Sequence, residues 1–174
     1  MPVGNLEFIK SASGTSVTTI NVTDIFTEKY DVYMVSISKI DLSATFGVNL
    51  RLLDSGGTPI TTSNYNTASL SLNAGSAFGE TRYTNLDRFI NFGVYSSGSE
   101  VGGATIAYFY NPYDNSSYTF WQLQSAGEVT GSGGFRGLKA IGVLPTAGTH
   151  SGISLTSNGA NLFDNITVNV YGVK

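Results

Sequence analysis

The sequence predicts an all-β protein, an antiparallel two-sheet β-sandwich of jelly-roll-like form. The first observation behind this is composition. Gly, Ser, Thr and Asn (21, 21, 19 and 14 copies) supply 75 of 174 residues, and only 12% are charged. Ten Tyr and ten Phe accompany them, so small polar turn formers and β-favouring aromatics dominate at the expense of helix formers. The second observation is a period-two hydrophobic alternation that recurs between short turn signals from one end to the other. The third is that no segment has the dozen residues of helical pattern that a parallel crossover needs, which leaves antiparallel pairing.

Asn5 to Lys10 and Ser16 to Val22 read as the first two strands. Asp24 is placed to cap one helical turn through Ile25, Phe26, Thr27 and Glu28. Tyr33, Val35 and Ile37 alternate with Met34, Ser36 and Ser38, and Phe46, Val48, Leu50 and Leu52 alternate with Asn49 and Arg51. Asp54-Ser55-Gly56-Gly57 then offers the backbone freedom and side-chain acceptor of a tight turn. Ala68 to Leu72 carries alternating Leu70 and Leu72 and is a further candidate strand. Arg88 to Tyr95, Ala104 to Tyr110, Tyr118 to Gln124, Phe135 to Leu144, Ser151 to Thr156 and Asn165 to Val173 complete the set. The Gly-rich stretches at 98–103 and 127–134 are short enough to be hairpin connections. With no internal repeat, residues 1–174 are expected to form a single sandwich domain. Its inward residues should include Tyr33, Val35, Ile37, Val48, Leu50, Leu52, Ile106, Tyr108, Ile166, Val168 and Val170.

Charge and residue usage exclude more than they identify. A net charge of −3 with nine Lys and Arg gives no electrostatic attraction to nucleic acid or an anionic membrane. The absence of Cys removes disulfides, thiolate metal sites and cysteine nucleophiles. No apolar run approaches a bilayer span, and the first ten residues have neither the basic region nor the apolar core of a secretory signal. Synthesis and retention in a cytoplasm, or assembly there, is the expectation.

The search for chemistry returns little. His150 is the sole histidine, so any Ser-His-Asp triad would have to use it, and no Gly-x-Ser-x-Gly elbow presents a nucleophile. Its expected place is a turn before a strand. Twelve carboxylates are dispersed, and Asp54, Asp114 and Asp164 sit beside Gly, Asn or Ser clusters typical of turns. Asp114-Asn115-Ser116-Ser117 lacks the spacing of a calcium loop, and Gly131-Ser132-Gly133-Gly134 is not followed by the Lys of a phosphate loop. No catalytic, cofactor-binding or metal-ligating residue is assigned, and no cofactor is expected. The aromatic run Tyr108-Phe109-Tyr110-Asn111-Pro112-Tyr113, followed by Tyr118-Thr119-Phe120-Trp121, is the most distinctive feature. Tyr113, Tyr118 or Trp121 would serve a sugar-stacking platform, whereas the favoured reading puts Tyr108, Tyr110, Phe120 and Trp121 into the sheet faces as core and cross-strand pairs.

Five blocks stand together: Asn5-Leu6-Glu7-Phe8-Ile9-Lys10-Ser11-Ala12-Ser13-Gly14, Asp31-Val32-Tyr33, the run from Tyr110 to Phe120, Gly152-Ile153-Ser154-Leu155, and the closing run from Asn165 to Lys174. They resemble small β-rich virion structural proteins of marine and cyanobacterial tailed bacteriophages, and the likeness spans most of the chain. One departure is Asn165, which stands where similar sequences carry Gly before the last strand. The resemblance implies a β-rich particle component, on capsid or tail. The lack of catalytic residues adds the expectation that it is no enzyme, and one strand-rich domain without a coiled-coil shaft puts a capsid decoration or capsid-fibre accessory protein ahead of a tail-fibre receptor-binding or carbohydrate-binding module. The open strand edges of a sandwich with few charges to blunt them predict a homo-oligomer, a trimer first, or docking onto other virion proteins; the alternative would bind a host surface glycan.

Overall fold

A computed structural model describes residues 5–43, 47–93, 103–129, 134–157 and 162–174. Among the described residues eleven strands are formed: β1 Leu6–Gly14, β2 Thr19–Val22, β3 Val32–Leu42, β4 Val48–Leu53, β5 Tyr65–Asn73 and β6 Gly79–Leu86. They continue with β7 Gly103–Tyr110, β8 Thr119–Val129, β9 Gly134–Leu144, β10 Gly152–Ser157 and β11 Phe163–Val173. The strands form an antiparallel two-sheet sandwich with unequal sheets. Eight run in the order β1-β11-β3-β7-β8-β9-β5-β6 and three in the order β2-β10-β4.

The small sheet covers only part of the large one, and the core lies beneath it. Ile20, Val22, Val48, Leu50, Leu52, Ile153 and Leu155 come from the small sheet and meet Tyr33, Val35, Ile37, Phe109, Trp121, Val168 and Val170 from the large sheet. Nine of the eleven residues expected inward are buried there. The exceptions are Ile106, which is 48% exposed, and Tyr108, which lies half-buried on the opposite face. In β7 the inward set is Thr105, Ala107 and Phe109. Both phases of this strand are apolar, so alternation alone cannot choose between them. The choice falls to Phe109, whose ring packs on Phe26 and Phe92 inside the core, with centroids 5.8 and 6.1 Å away.

Two other expectations are corrected. No helical turn forms after Asp24, whose φ of 57° departs from the extended backbone of a capping residue. Instead Ile25 and Phe26 donate their N–H groups to the Ser151 carbonyl at 2.9 and 3.3 Å and seal one end of the core. Arg88 to Tyr95 does not form a strand over its described part. Asn91 and Gly93 take φ values of 56° and 113° and bend the chain. The bend lets Phe89 and Phe92, three residues apart, both enter the core. Residues 94 and 95, Phe46, and the glycine-rich residues 98–102 and 131–133 lie outside the described residues. Conversely β6 was not expected, because both of its faces are wet and its sequence shows no alternation.

The small sheet's β4 edge is closed by chain rather than left open. Phe89 exchanges both backbone hydrogen bonds with Leu50, Phe92 donates to Val48 and Ile60 donates to Leu52, all at 2.7–2.9 Å. The large sheet ends on β1 and β6. A register shift between Phe8 and Lys10 interrupts the β1 pairing, and Glu7 meets Lys29 and Lys174 at 2.5 and 2.9 Å. Those two ammonium groups, Lys29 first, hold the Glu7 carboxyl down at about 2. A bulge and charge are the usual means of discouraging strand addition at an edge.

Trp121 is the keystone of the aromatic core. Phe89 and Phe92 meet its ring edge-on, each at 5.1 Å, and Tyr65 meets Phe89 at 4.6 Å. The indole lies over Gly142, its cross-strand partner, where an added Cβ would stand 2.3 Å from Nε1. Gly142→Ala is therefore expected to cost about 1–3 kcal/mol through overpacking, read as a lower urea midpoint with unchanged slope.

Candidate functional site

Residues paired across neighbouring strands point to the same side of a sheet, so the register defines what the large sheet shows on its outer face. One row crosses all eight strands: Phe8, Tyr171, Met34, Tyr108, Gln122, Ile141, Ala68 and Arg82. The next row towards one end carries Ile106, Gln124, Lys139, Leu70 and Glu80. On the other side Val32, Tyr110, Phe120 and Val143 follow. Phe8 and Ile141 are 57% and 60% exposed, and Phe120 and Ile106 are nearly as open. An apolar band flanked by Arg82, Glu80 and Lys139 thus lies on the face away from the core.

From β7 to β6 this face forms an open groove of about 1130 Å³. Its floor joins Ile106 and Tyr108 to Gln122, Gln124 and Ile141, and its far wall carries Glu80 and Arg82. Five strands at about 4.8 Å spacing give it a length of roughly 19 Å. Tyr110, at the margin, has its phenol pushed up by burial and by neighbouring Tyr108.

The individual residues singled out by sequence are dispersed by the fold. Trp121 is 1% exposed and forms no sugar platform, because its ring fills the core. Tyr113 and Tyr118 are exposed on the β7–β8 connection, and Tyr108 and Phe120 lie on the outer face as cross-strand neighbours of Gln122 and Tyr110. Asp54 accepts from the N–H groups of Gly56 and Thr58 at 2.9 and 2.8 Å, and Asp114 accepts from Ser116 N and Oγ at 2.8 and 2.7 Å. Both are turn carboxylates as expected. Asp164 is not; it lies within β11, beside the register shift between Phe163 and Asn165.

His150 precedes β10 and is 3% exposed, and neither ring nitrogen has a hydrogen-bond partner among the described residues. A triad histidine must hold a nucleophile and an orienting carboxylate, and no described residue hydrogen-bonds this imidazole in either role. Burial drives its pKa down to about 4, against a small opposing pull from Asp54. Among the described residues no group of three or more His, Asp or Glu is placed to hold a metal ion.

What sequence reasoning missed is collective. No single residue of the outer face carries a motif, and membership depends on a register that only pairing defines. The missed signal was the second apolar phase in β7, together with Phe120 and Ile141 opposite the inward residues of their strands.

No family model matches the chain, and no curated protein does. Among solved structures, a protein of unknown function from Bacteroides ovatus is similar over 72% of this chain and 46% of its own, at 10% identity and a TM-score of 0.23. The chain therefore spans less than half of that protein's length. A protein of the disulfide-linked pili of Bacillus endospore appendages is similar over 97% of this chain and 88% of its own, at 11% identity and a TM-score of 0.24. An alginate lyase from Alteromonas sp. 272 is similar over 83% and 72%, at 11% identity and a TM-score of 0.23. Likenesses at this level carry no argument about what the chain does.

Proposed function

We propose that the chain is a non-enzymatic structural component of a bacteriophage particle, a capsid decoration or capsid-fibre accessory protein. It is held there through the outer face of its large sheet. The observation that carries this reading is the band from Phe8 to Ile141, open at Phe8 and Ile141 with Tyr171, Met34 and Tyr108 half-buried between them, and rimmed by charge. Extended apolar surface of this kind marks an interaction site. A second copy of the chain is its first occupant, giving a homo-oligomer with a trimer as the leading form, and neighbouring virion proteins complete the contacts. The virion assignment draws on the sequence resemblance, and the isolated buried imidazole of His150 supports a role without catalysis.

Light scattering on the purified chain should give a multiple of the 18.4 kDa protomer mass. Ile106→Lys with Ile141→Lys is expected to return it to the protomer while leaving the circular dichroism unchanged. Both side chains face solvent in the protomer, so the fold should change by only about 0.5 kcal/mol for each. An 18.4 kDa species alone, even in the presence of particles, would count against this reading. Electron cryomicroscopy of the intact particle then tests location, with many copies on the capsid lattice expected.

The alternative, a tail-fibre receptor-binding or carbohydrate-binding module, is favoured by one observation. Tyr108 lies beside the amides of Gln122 and Gln124 in the outer groove, a pairing of aromatic face and planar donors suited to a glycan. A few copies at the tail extremity, with adsorption lost in Tyr108→Ala, would decide for it.

A further inference from the structure

The outer face of the small sheet is built differently from that of the large one. Cross-strand partners Thr19, Thr156 and Asn49 form one row and Asn21, Ser154 and Arg51 the next, with no apolar residue in either. Beside them lies a pocket of about 300 Å³, lined by Thr19, Asn49, Arg51, Arg88 and Thr156 among others. That volume is at the lower end of small-ligand sites.

Two guanidiniums converge on this pocket and are held by one carboxylate. Arg51 donates Nε to the Asp87 carbonyl at 3.0 Å and Nη2 to its carboxylate. Arg88 donates Nη1 to both carboxylate oxygens, at 3.0 and 3.1 Å. Burial raises the Asp87 pKa, but the hydrogen bond and charge of Arg51, with the charge of Arg88, outweigh it and leave the carboxyl lowered. Among the described residues these ion pairs set two cations against one anion, a surplus of one positive charge. Donors are left over as well. Arg51 Nη1 and Arg88 Nη2 make no hydrogen bond to a described residue, and Arg88 Nε is buried without a partner. Asn49 is 7% exposed and lines the pocket.

We infer that this pocket binds a compact monovalent oxyanion, a carboxylate in the first instance. A carboxylate neutralises the residual charge and supplies acceptors to Arg51 Nη1, Arg88 Nη2, the Asn49 amide and the threonine hydroxyls. Asp87 is a positioning residue that holds the two arginines side by side. The source of the carboxylate is an acidic sugar or a small free acid, and the same chemistry serves both.

The test is a titration of the ¹⁵N-labelled full chain with sodium acetate, sodium glucuronate and sodium sulfate, against sodium chloride at matched ionic strength. Saturable amide shifts confined to β2, β4 and β10 are expected with acetate and glucuronate, and none with chloride. Tighter binding of glucuronate assigns the site to an acidic sugar, and equal binding assigns it to a free carboxylate. Arg88→Gln should weaken binding about tenfold or more through loss of charge-assisted hydrogen bonds. Because Arg88 also steadies Asp87, Asn49→Asp provides an isosteric second variant. It should abolish binding by like-charge repulsion while the melting temperature is kept. No saturable shift with acetate or glucuronate, sulfate binding more tightly than both, or wild-type affinity in both variants would overturn the assignment.

Discussion

Trp121→Ala should lower the unfolding free energy by about 3–5 kcal/mol, the range for removing a fully buried large aromatic side chain. The ring is 1% exposed and touches Phe89 and Phe92 edge-on, so its removal takes away two aromatic contacts as well as buried area. The cavity has little means of closing. Phe89 and Phe92 are tied to β4 by backbone hydrogen bonds at 2.7–2.9 Å, and Gly142 has no side chain to move in. Total stability for a domain is only about 5–15 kcal/mol, so this substitution removes a large share of it. Tyr113→Ala and Tyr118→Ala, on the exposed connection, should stay within about 0.5 kcal/mol. Denaturant unfolding of the three variants checks the contrast. Equal losses in all three would mean that the aromatic run is not divided between core and surface.

The second large effect is acid destabilisation through His150. Its folded pKa is lowered to about 4 from 6.5, and the cause is burial. Between these values the unfolded chain takes up a proton that the folded chain refuses. Stability is therefore full above pH 6.5, falls as pH drops towards 4, and levels off below. The difference amounts to about 3 kcal/mol. The imidazole has no hydrogen-bond partner to lose among the described residues, so His150→Leu should remove this slope without a comparable penalty at neutral pH. Carboxylates contribute at lower pH. Glu7, held at about 2 by Lys29, Tyr30 and Lys174, and Asp114, lowered by its bonds from Ser116, lose their stabilising charge only as pH falls below the ordinary carboxylate range. The window from pH 6.5 to 4.5 therefore isolates the histidine. Unfolding free energies across that window, for the natural chain and His150→Leu, test this directly; parallel slopes would refute it.

The sequence by itself determined the all-β class, the antiparallel pairing and most of the core. Val35, Ile37, Leu50, Leu52, Val168 and Val170 alternate with polar neighbours, so one phase is clearly the dry one and a one-residue slip would bury Ser or Asn. The turn roles of Asp54 and Asp114 were equally legible, because an Asx turn is made by residues two to four positions apart. Where both phases are apolar, as in β7, or both are wet, as in β6, local hydropathy has nothing to distinguish. Burial there depends on the strand's place relative to the small sheet. Only tertiary structure decided that eight strands would share one sheet and three the other, leaving an outer face that one row of residues crosses from Phe8 to Arg82. It also brought Arg51 to Arg88 and Asp87, and set Asn49 and Thr156, far apart in the chain, in one row beside them. Such sites are sums of strand pairings between distant segments, and a periodicity read along the chain carries no information about which strands will lie side by side.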